Sequence, residues 1–230
     1  MYRNLSITLC LPCRNEGNHL VKVIEKVPSI VDEIIVISNK STDNTVEVAK
    51  SLGVKVIEEN RALNGIGYGY AHMAGIKNAK SDIIVGADGD GTYPVQNLKK
   101  ILDFFIDNDF DFISCNRYPL KDGTQIPIKL RLGVWMLNTE VALLYGIKIS
   151  DILTGMWVFK KSVRGKLGLT MGDWNLSPQI KINAARNPDI NFSEFSIAQH
   201  QRWGESHQKY LKTGMSHALW IFKNRFSSQK

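Results

Sequence analysis

The 230-residue chain predicts an α/β fold, a mostly parallel sheet with helices on both faces. Three observations carry this. Short runs rich in Ile and Val recur through the first half, stretches of helical period separate them, and helix start and stop signals bound those stretches.

In chain order, strands are expected in "LSITLCLP", "EIIVIS", "VKVIEE", "DIIVGAD" and "FDFISCN". Helices are expected in "EGNHLVKVIEKV", "STDNTVEVAKSLG", "YGYAHMAGIKNAK" and "PVQNLKKILDFFIDN". The second helix has Ser or Thr near its start and Gly53 just past its end, and the fourth begins at Pro94, a residue suited to a first helical turn. From "NRYPLKDGTQIP" onward the character changes. A long helix through "IKLRLGVWMLNTEVALLYG" follows, then a strand in "TGMWVFKKS", a helix around "SPQIKINAARN", a strand in "INFSEFSIAQH" and a basic amphipathic helix in the tail. No linker, repeat or low-complexity segment interrupts the chain, so residues 1–230 read as one domain with halves at 1–116 and 117–230.

Composition is that of a globular protein, with 43% hydrophobic and 22% charged residues. The formal net charge of +7 favours an anionic partner: a phosphate-rich ligand, an anionic membrane surface or nucleic acid. The N-terminal apolar run breaks at Pro12 and Arg14, too short for a signal segment, and no run approaches a membrane span; a cytoplasmic protein is expected. Cys10 and Cys13 form a CxxC with no second pair to complete a zinc site, so we read a small buried residue and a loop residue.

The chemistry concentrates in "GADGDGTYP". Asp88 and Asp90 lie two apart at the end of an apolar run, so on extended chain both carboxylates face one side and can converge on one ion. Gly89 and Gly91 keep side chains away from a ligand. Hard oxygen ligands suit Mg2+ or Mn2+ held together with substrate phosphates. Two other readings stand beside this one: a turn whose aspartates cap the following helix, and a phosphatase of the haloacid-dehalogenase type with Asp88 as nucleophile. An EF-hand loop counted from Asp88 is excluded, because Tyr93 and Lys99 occupy the positions that need Gly and Glu. The phosphatase motif belongs on a first strand, whereas three strand–helix units precede it here, and its acidic partner motif is missing.

An ordered series of motifs resembles family 2 glycosyltransferases of the GT-A fold, particularly polyprenyl- (dolichyl-) phosphate sugar synthases. It comprises "LPCRNE", "EIIVISNKSTDNT", "NGIGYGYAHMAGIKNAKSDIIVGADGDGTYP", "NRY", "RLG", "DILTGMWVF", "SEFSI" and "RWGES". The resemblance implies a Rossmann-like GT-A sheet and a nucleotide pocket lined by Pro12, Arg14 and Glu16, with Ile37 and Asn39 at the end of the second strand. It implies Asp88 and Asp90 as metal ligands with Gly89 between them, Arg117 and Arg131 near an acceptor phosphate, and Arg202 and His207 near the donor diphosphate. The implied partners are a UDP- or GDP-sugar and polyprenyl phosphate, with a membrane surface and without nucleic acid. Guanidinium groups clamp phosphate oxygens in bidentate fashion, which suits both tasks.

One segment and three single positions depart from the family pattern. "SNKS" at 38–41 replaces Asp-Asp-Gly-Ser, Thr92 stands where Gln is common, His207 replaces a Lys, and Gln179 replaces an acidic residue. No general base stands out; Asp151 and Asp173 are the nearest candidates. A phosphate acceptor needs none, because its oxygen is already anionic at neutral pH, and this favours lipid phosphate over a saccharide hydroxyl. A non-catalytic nucleotide-sugar binder is the further alternative. The glycines of "NGIGYG" do not match G-x-G-x-x-G and are read as a loop near the donor. Lys209, Lys212, Lys223 and Arg225 beside Leu219, Trp220, Ile221 and Phe222 give the tail helix either a membrane-surface face or a packing face.

Overall fold

The computed structural model describes residues 1–121, 124, 126–203 and 209–227. Every expected element forms. The strands are β1 (Ile7–Cys13), β2 (Glu33–Ser38), β3 (Lys55–Glu58), β4 (Ile83–Gly86), β5 (Phe112–Asn116), β6 (Trp157–Lys160) and β7 (Phe192–Ser196). The helices are α1 (Gly17–Ile24), α2 (Thr45–Ser51), α3 (Tyr68–Asn78), α4 (Leu98–Asp107), α5 (Ile128–Tyr145), α6 (Leu176–Arg186) and α7 (Tyr210–Ser227). Pro94 opens a short 3₁₀ turn at Val95–Asn97 ahead of α4. Gly53, at φ +69°, takes the left-handed position just beyond α2.

The seven strands form one sheet in the order β3-β2-β1-β4-β6-β5-β7. All neighbours are parallel except β6, which runs antiparallel to both β4 and β5. Both faces are covered. Leu9 and Leu11 point to the side packed by Leu20, Leu98, Ile101 and Phe105, whereas Cys10 points to the side packed by Ala71, Ile76, Ile180 and Ala184. The period-2 alternation of a strand thus feeds two apolar layers at once.

Further apolar packing joins α5, α6 and α7 through Leu137, Val141, Ile182 and Ile221. Tyr145 donates its hydroxyl to the Ile221 carbonyl at 2.7 Å, and Arg225 Nε donates to the Leu144 carbonyl at 2.7 Å. The tail helix therefore packs against α5 and also keeps an exposed apolar side, at Leu211, Met215 and Phe222. No helix among the described residues is long and apolar enough to cross a membrane.

The structure alters two sequence expectations at this level. Cys13 is the last residue of β1 and is buried, not a loop residue. Strand β4 ends at Gly86, so Asp88 and Asp90 sit in the following turn rather than on extended chain.

The chain order reverses direction across the sheet at β1, which has β2 on one side and β4 on the other. In open α/β sheets the crevice beyond the carboxyl ends at such a switch point is where ligands bind. The segments leaving β1 and β4 there are "RNE" at 14–16 and "ADGDG" at 87–91.

Candidate active site

The acidic turn is built by close packing. Ala87 and Gly89 donate backbone N–H to the carbonyls of Cys10 and Pro12, which carries the β1–β4 pairing past the end of the strand. A Cβ on Gly89 would lie 2.3 Å from Cys13 Sγ, so only glycine allows this approach. Gly91 combines φ +77° with a site where a Cβ would lie 2.6 Å from the Trp203 ring. The two glycines thus make room for Cys13 and Trp203, protein side chains, where the sequence suggested room for a ligand.

That packing delivers Arg202. Trp203 N–H donates to the Asp90 carbonyl and His200 N–H to the Thr92 carbonyl, laying the 200–203 segment along the acidic turn. Arg202 then bridges two carboxylates, with Nη1 3.1 Å from Asp90 Oδ2 and Nη2 3.1 Å from Glu16 Oε1. Asp90 also accepts the Thr92 N–H at 2.9 Å. Asp88 stands behind, its Oδ1 buried without a hydrogen-bond partner.

One guanidinium pairs with two carboxylates, Glu16 and Asp90, while a third, Asp88, stands beside them. Burial, followed by the charge of Asp90, pushes the Glu16 carboxyl up to about 7 despite Arg202. Burial, followed by the charge of Asp88, also raises Asp90 above the usual carboxylate range. The site therefore carries an uncompensated negative charge that a cation would relieve. Among the described residues no group of three or more His, Cys, Asp or Glu forms a metal cage. Two carboxylates in a crevice fit an ion that takes its remaining ligands from substrate phosphates and water.

A second arginine–carboxylate pair lies at the end of β5. Arg117 Nε and Nη2 fork onto Asp151 Oδ2 and Oδ1 at 2.5 and 2.8 Å, and Nη1 donates to Gln199 Oε1 at 3.1 Å. Burial works against the Asp151 charge, but Arg117 outweighs it and holds the carboxyl below its ordinary range. All three guanidinium nitrogens are engaged, so Arg117 enters the site as the partner of Asp151. Arg131 is exposed in the first turn of α5, and its charge reaches Tyr118, next to Arg117.

The remaining expected residues fall into place around this centre. Pro12 and Arg14 are half-buried at the end of β1. Ile37 is a core residue: its side chain is fully buried beneath α3, 2.8 Å from where a Gly75 Cβ would stand, so it does not face the crevice. Asn39 is committed to loop anchoring, its Nδ2 donating to the Glu59 and Arg61 carbonyls at 2.6 and 3.3 Å. A Cβ on Gly67 would meet Asn39 Oδ1 at 2.1 Å. The "SNKS" loop is thus tied to its neighbours by backbone contacts, and Ser41 Oγ accepts the Asn15 N–H at 3.2 Å. Gln179 has a structural reason too: its Oε1 accepts the Thr170 and Met171 N–H groups, both at 2.9 Å, while Nε2 donates to Thr170 Oγ1 at 2.8 Å. His207 lies outside the described residues.

Neither candidate base is free. Asp151 is fully buried and paired; Asp173 is buried and accepts the Asn175 N–H and Nδ2 at 2.9 and 3.2 Å. Sequence reasoning missed His72, which is fully buried on α3 with Nε2 3.6 Å from Asp88 Oδ1. No spacing pattern marks it, since its neighbour in space is sixteen residues away in sequence.

Strand order, switch-point crevice and acidic turn define a protein of the GT-A class. Comparison with known proteins makes this specific: the chain belongs to glycosyl transferase family 2, whose model matches residues 8–168. It is 26% identical over 226 residues to the low-salt glycan biosynthesis hexosyltransferase Agl6 of Haloferax volcanii, covering 95% of this chain and 54% of that protein. The chain thus spans about half the length of that relative. It is 28% identical over 195 residues to a dolichyl-phosphate hexose transferase of the same organism, covering 84% of this chain and 82% of the relative. Among solved structures, glucosyl-3-phosphoglycerate synthase of Mycobacterium tuberculosis, in complex with Mn2+, UDP and glucosyl-3-phosphoglycerate, superposes with a TM-score of 0.68 at 17% identity. That match covers 96% of this chain and 80% of the other and establishes the fold.

Proposed function

We propose that the chain transfers a hexosyl group, with inversion, from a nucleoside diphosphate sugar to polyprenyl phosphate, with Mg2+ or Mn2+ as cofactor. The observation that carries the reading is the surplus of carboxylate over Arg202 at the switch point. Asp88 and Asp90 would hold the ion, which on binding neutralises charge on the departing diphosphate. Arg202 would share that task once a ligand relieves its pairing with Glu16 and Asp90. Family membership and the name of the dolichyl-phosphate relative support donor and acceptor classes.

The acceptor class rests on a second observation, the engagement of both candidate bases. A saccharide hydroxyl must lose a proton as it attacks, whereas a phosphate oxygen attacks the anomeric carbon already charged. The carbon–oxygen bond to the diphosphate breaks and the nucleoside diphosphate leaves. Arg131, exposed and without an ion pair among the described residues, would receive the acceptor phosphate; it and the Asp151-paired Arg117 both act on Tyr118.

A lipid acceptor also accounts for the surface. All the exposed large apolar side chains among the described residues, except Met1 and Leu63, lie on α5 or α7, among them Leu132, Trp135, Leu211 and Phe222. Lys129, Arg131, Lys212 and Lys223 accompany them, with Glu140 as the one acid on the two helices. An apolar face with basic flanks suits peripheral contact with an anionic lipid surface.

The test is calorimetric titration of UDP, GDP and their sugars with and without Mn2+ or Mg2+, followed by transfer of labelled sugar to a short-chain polyprenyl phosphate. Metal-dependent nucleotide binding and label in the organic phase are expected. Absence of any nucleotide binding sinks the donor assignment; binding with label passing only to saccharides sinks the acceptor assignment. Binding without transfer to any acceptor identifies a binder, and phosphate release from p-nitrophenyl phosphate with an aspartyl-phosphate at Asp88 identifies a phosphatase.

A further inference from the structure

Behind Asp88 lies a group of buried polar atoms without partners. His72 Nδ1 and Nε2, Asp88 Oδ1 and Trp157 Nε1 are all sealed from solvent and all lack hydrogen bonds. A buried polar group left unpaired typically costs about 1–3 kcal/mol, so four such atoms at one spot need an explanation. Their chemistry is complementary. An indole N–H only donates, a carboxylate oxygen only accepts, and an imidazole can do one at each nitrogen.

The geometry is close to connection. The His72 ring lies between Tyr68 and Trp157, with centroid separations of 4.6 and 4.8 Å, and Nε2 points at Asp88 Oδ1 across 3.6 Å. That gap is a few tenths of an ångström too long for a hydrogen bond. The far side of the carboxylate is equally confined: a Cβ on Gly155 would lie 3.2 Å from Asp88 Oδ2 and 2.6 Å from Tyr68 Oη. A Cβ on Gly86 would lie 2.4 Å from Trp157 Nε1, so the end of β4 is shaped to admit the indole. His72 sits one turn into α3, whose start is fixed by the Tyr70 N–H to Gly172 carbonyl bond at 3.2 Å.

We infer that His72 is a positioning residue for Asp88: its Nε2–H takes hold of Oδ1 and orients the carboxylate so that Oδ2 serves the crevice. This rests on the reading of Asp88 as a ligand of the divalent ion. Asp88, unlike Asp90, has no ion pair with Arg202 and no N–H from its own turn, so its orientation falls to the side chains around it, Tyr68 on the far side and His72 at Oδ1. Ligating carboxylates generally depend on such outer hydrogen bonds, whose loss costs about 10–100-fold in metal affinity.

The test measures Mn2+ uptake in the presence of UDP or GDP, from the loss of the free-ion EPR signal, in the full chain. His72→Leu is expected to weaken Mn2+ about 10-fold or more. His72→Gln places an amide N–H near the Nε2 position and should stay within about 3-fold of wild type, while His72→Asn, which reaches only toward Nδ1, should behave as Leu does. In an Asp88→Asn background the His72 substitutions should have no further effect on Mn2+. Uptake by His72→Leu within about 2-fold of wild type overturns the assignment, as do equal losses in the Asp88→Asn background, which a purely structural role predicts. Should the leucine variant not fold, the Gln–Asn pair decides alone, and equal affinities overturn the assignment. A wild-type chain that takes up no Mn2+ with either nucleotide overturns the metal reading itself, and this assignment with it. Normal wild-type uptake with indifferent variants overturns only the role of His72.

Discussion

Two arginine–carboxylate clusters stand in the same protein in opposite electrostatic states. Arg117 and Asp151 form a one-to-one fork, the carboxylate fully buried and held below its ordinary pKa. Arg202 faces Glu16, Asp90 and the nearby Asp88, and here the carboxyls of Glu16 and Asp90 are driven up. A balanced buried pair is scaffold, since breaking it strands a charge. An unbalanced one is a binding site, since a ligand of the right sign completes it. The letters Arg and Asp are the same in both; the count of partners differs.

The largest expected effect breaks the balanced cluster. Asp151→Asn leaves Arg117 buried without its counter-charge and should lower unfolding free energy by about 3–5 kcal/mol, read by urea denaturation. A loss under about 1 kcal/mol would mean that solvent reaches Arg117 and that the contrast is false.

Acidification probes a third polar network, one balanced without an ion pair. His217 is buried on α7 with Nδ1 2.8 Å from Asn175 Oδ1, and Asn175 in turn donates to Asp173. Burial, then the charge of Lys181, lowers the imidazole pKa from 6.5 to about 4. The unfolded chain binds the proton more readily between these values, so stability should be full above about pH 6.5 and fall as pH drops toward 4. At about 1.4 kcal/mol per pH unit the loss from this group is about 3 kcal/mol. His217→Gln should flatten the decline; an unchanged pH profile would show that another group controls it.

Asp90→Asn tests the unbalanced cluster from the other direction. Removing one of three like charges should leave stability within about 1 kcal/mol of wild type or raise it, while weakening metal-dependent nucleotide binding at least about 10-fold. Unfolding on the scale of Asp151→Asn would place Asp90 in the scaffold instead.

The smallest effect concerns the loop that replaces the family's acids. Lys40 occupies the left-handed region at φ +53°, where the family pattern has glycine. Lys40→Gly should stabilise the chain by about 1 kcal/mol without altering metal binding. Destabilisation would show that the lysine side chain holds the loop.

Most of the fold was legible because both sheet faces are buried. The runs at 33–38 and 82–86 are Ile- and Val-rich and bounded by polar turns, and local chemistry suffices to read them. The acidic pair Asp88 and Asp90 was legible at the end of the fourth run, though expected on extended chain and found in the turn beyond it; the resemblance put Glu16 and Arg202 near one donor, and the structure brings the two side chains into contact. Partnership was not legible. Arg117 looked like a phosphate ligand because its partner Asp151 lies thirty-four residues on, and Ile37 looked like a pocket residue because its strand ends at the crevice while its side chain does not. Gly89 and Gly91 were read against a ligand, though the atoms that need their space belong to Cys13 and Trp203. Asn39 was read with the nucleotide pocket, yet its amide closes a loop. In each case the deciding contact is long-range, and no local pattern encodes it.

The antiparallel strand β6 has a consequence for how the molecule is made. It lies between β4 and β5, so the two strands that flank it are joined only after residues 157–160 exist. During synthesis, β1–β4 can pair as they emerge, but β5 must wait with open edges until some forty further residues have been added. Arg202 arrives later still, the last charge among the described residues to reach the acidic turn. The candidate site is therefore among the last features of the chain to mature, and a nascent polypeptide stalled before β6 would present unpaired strand edges to chaperones.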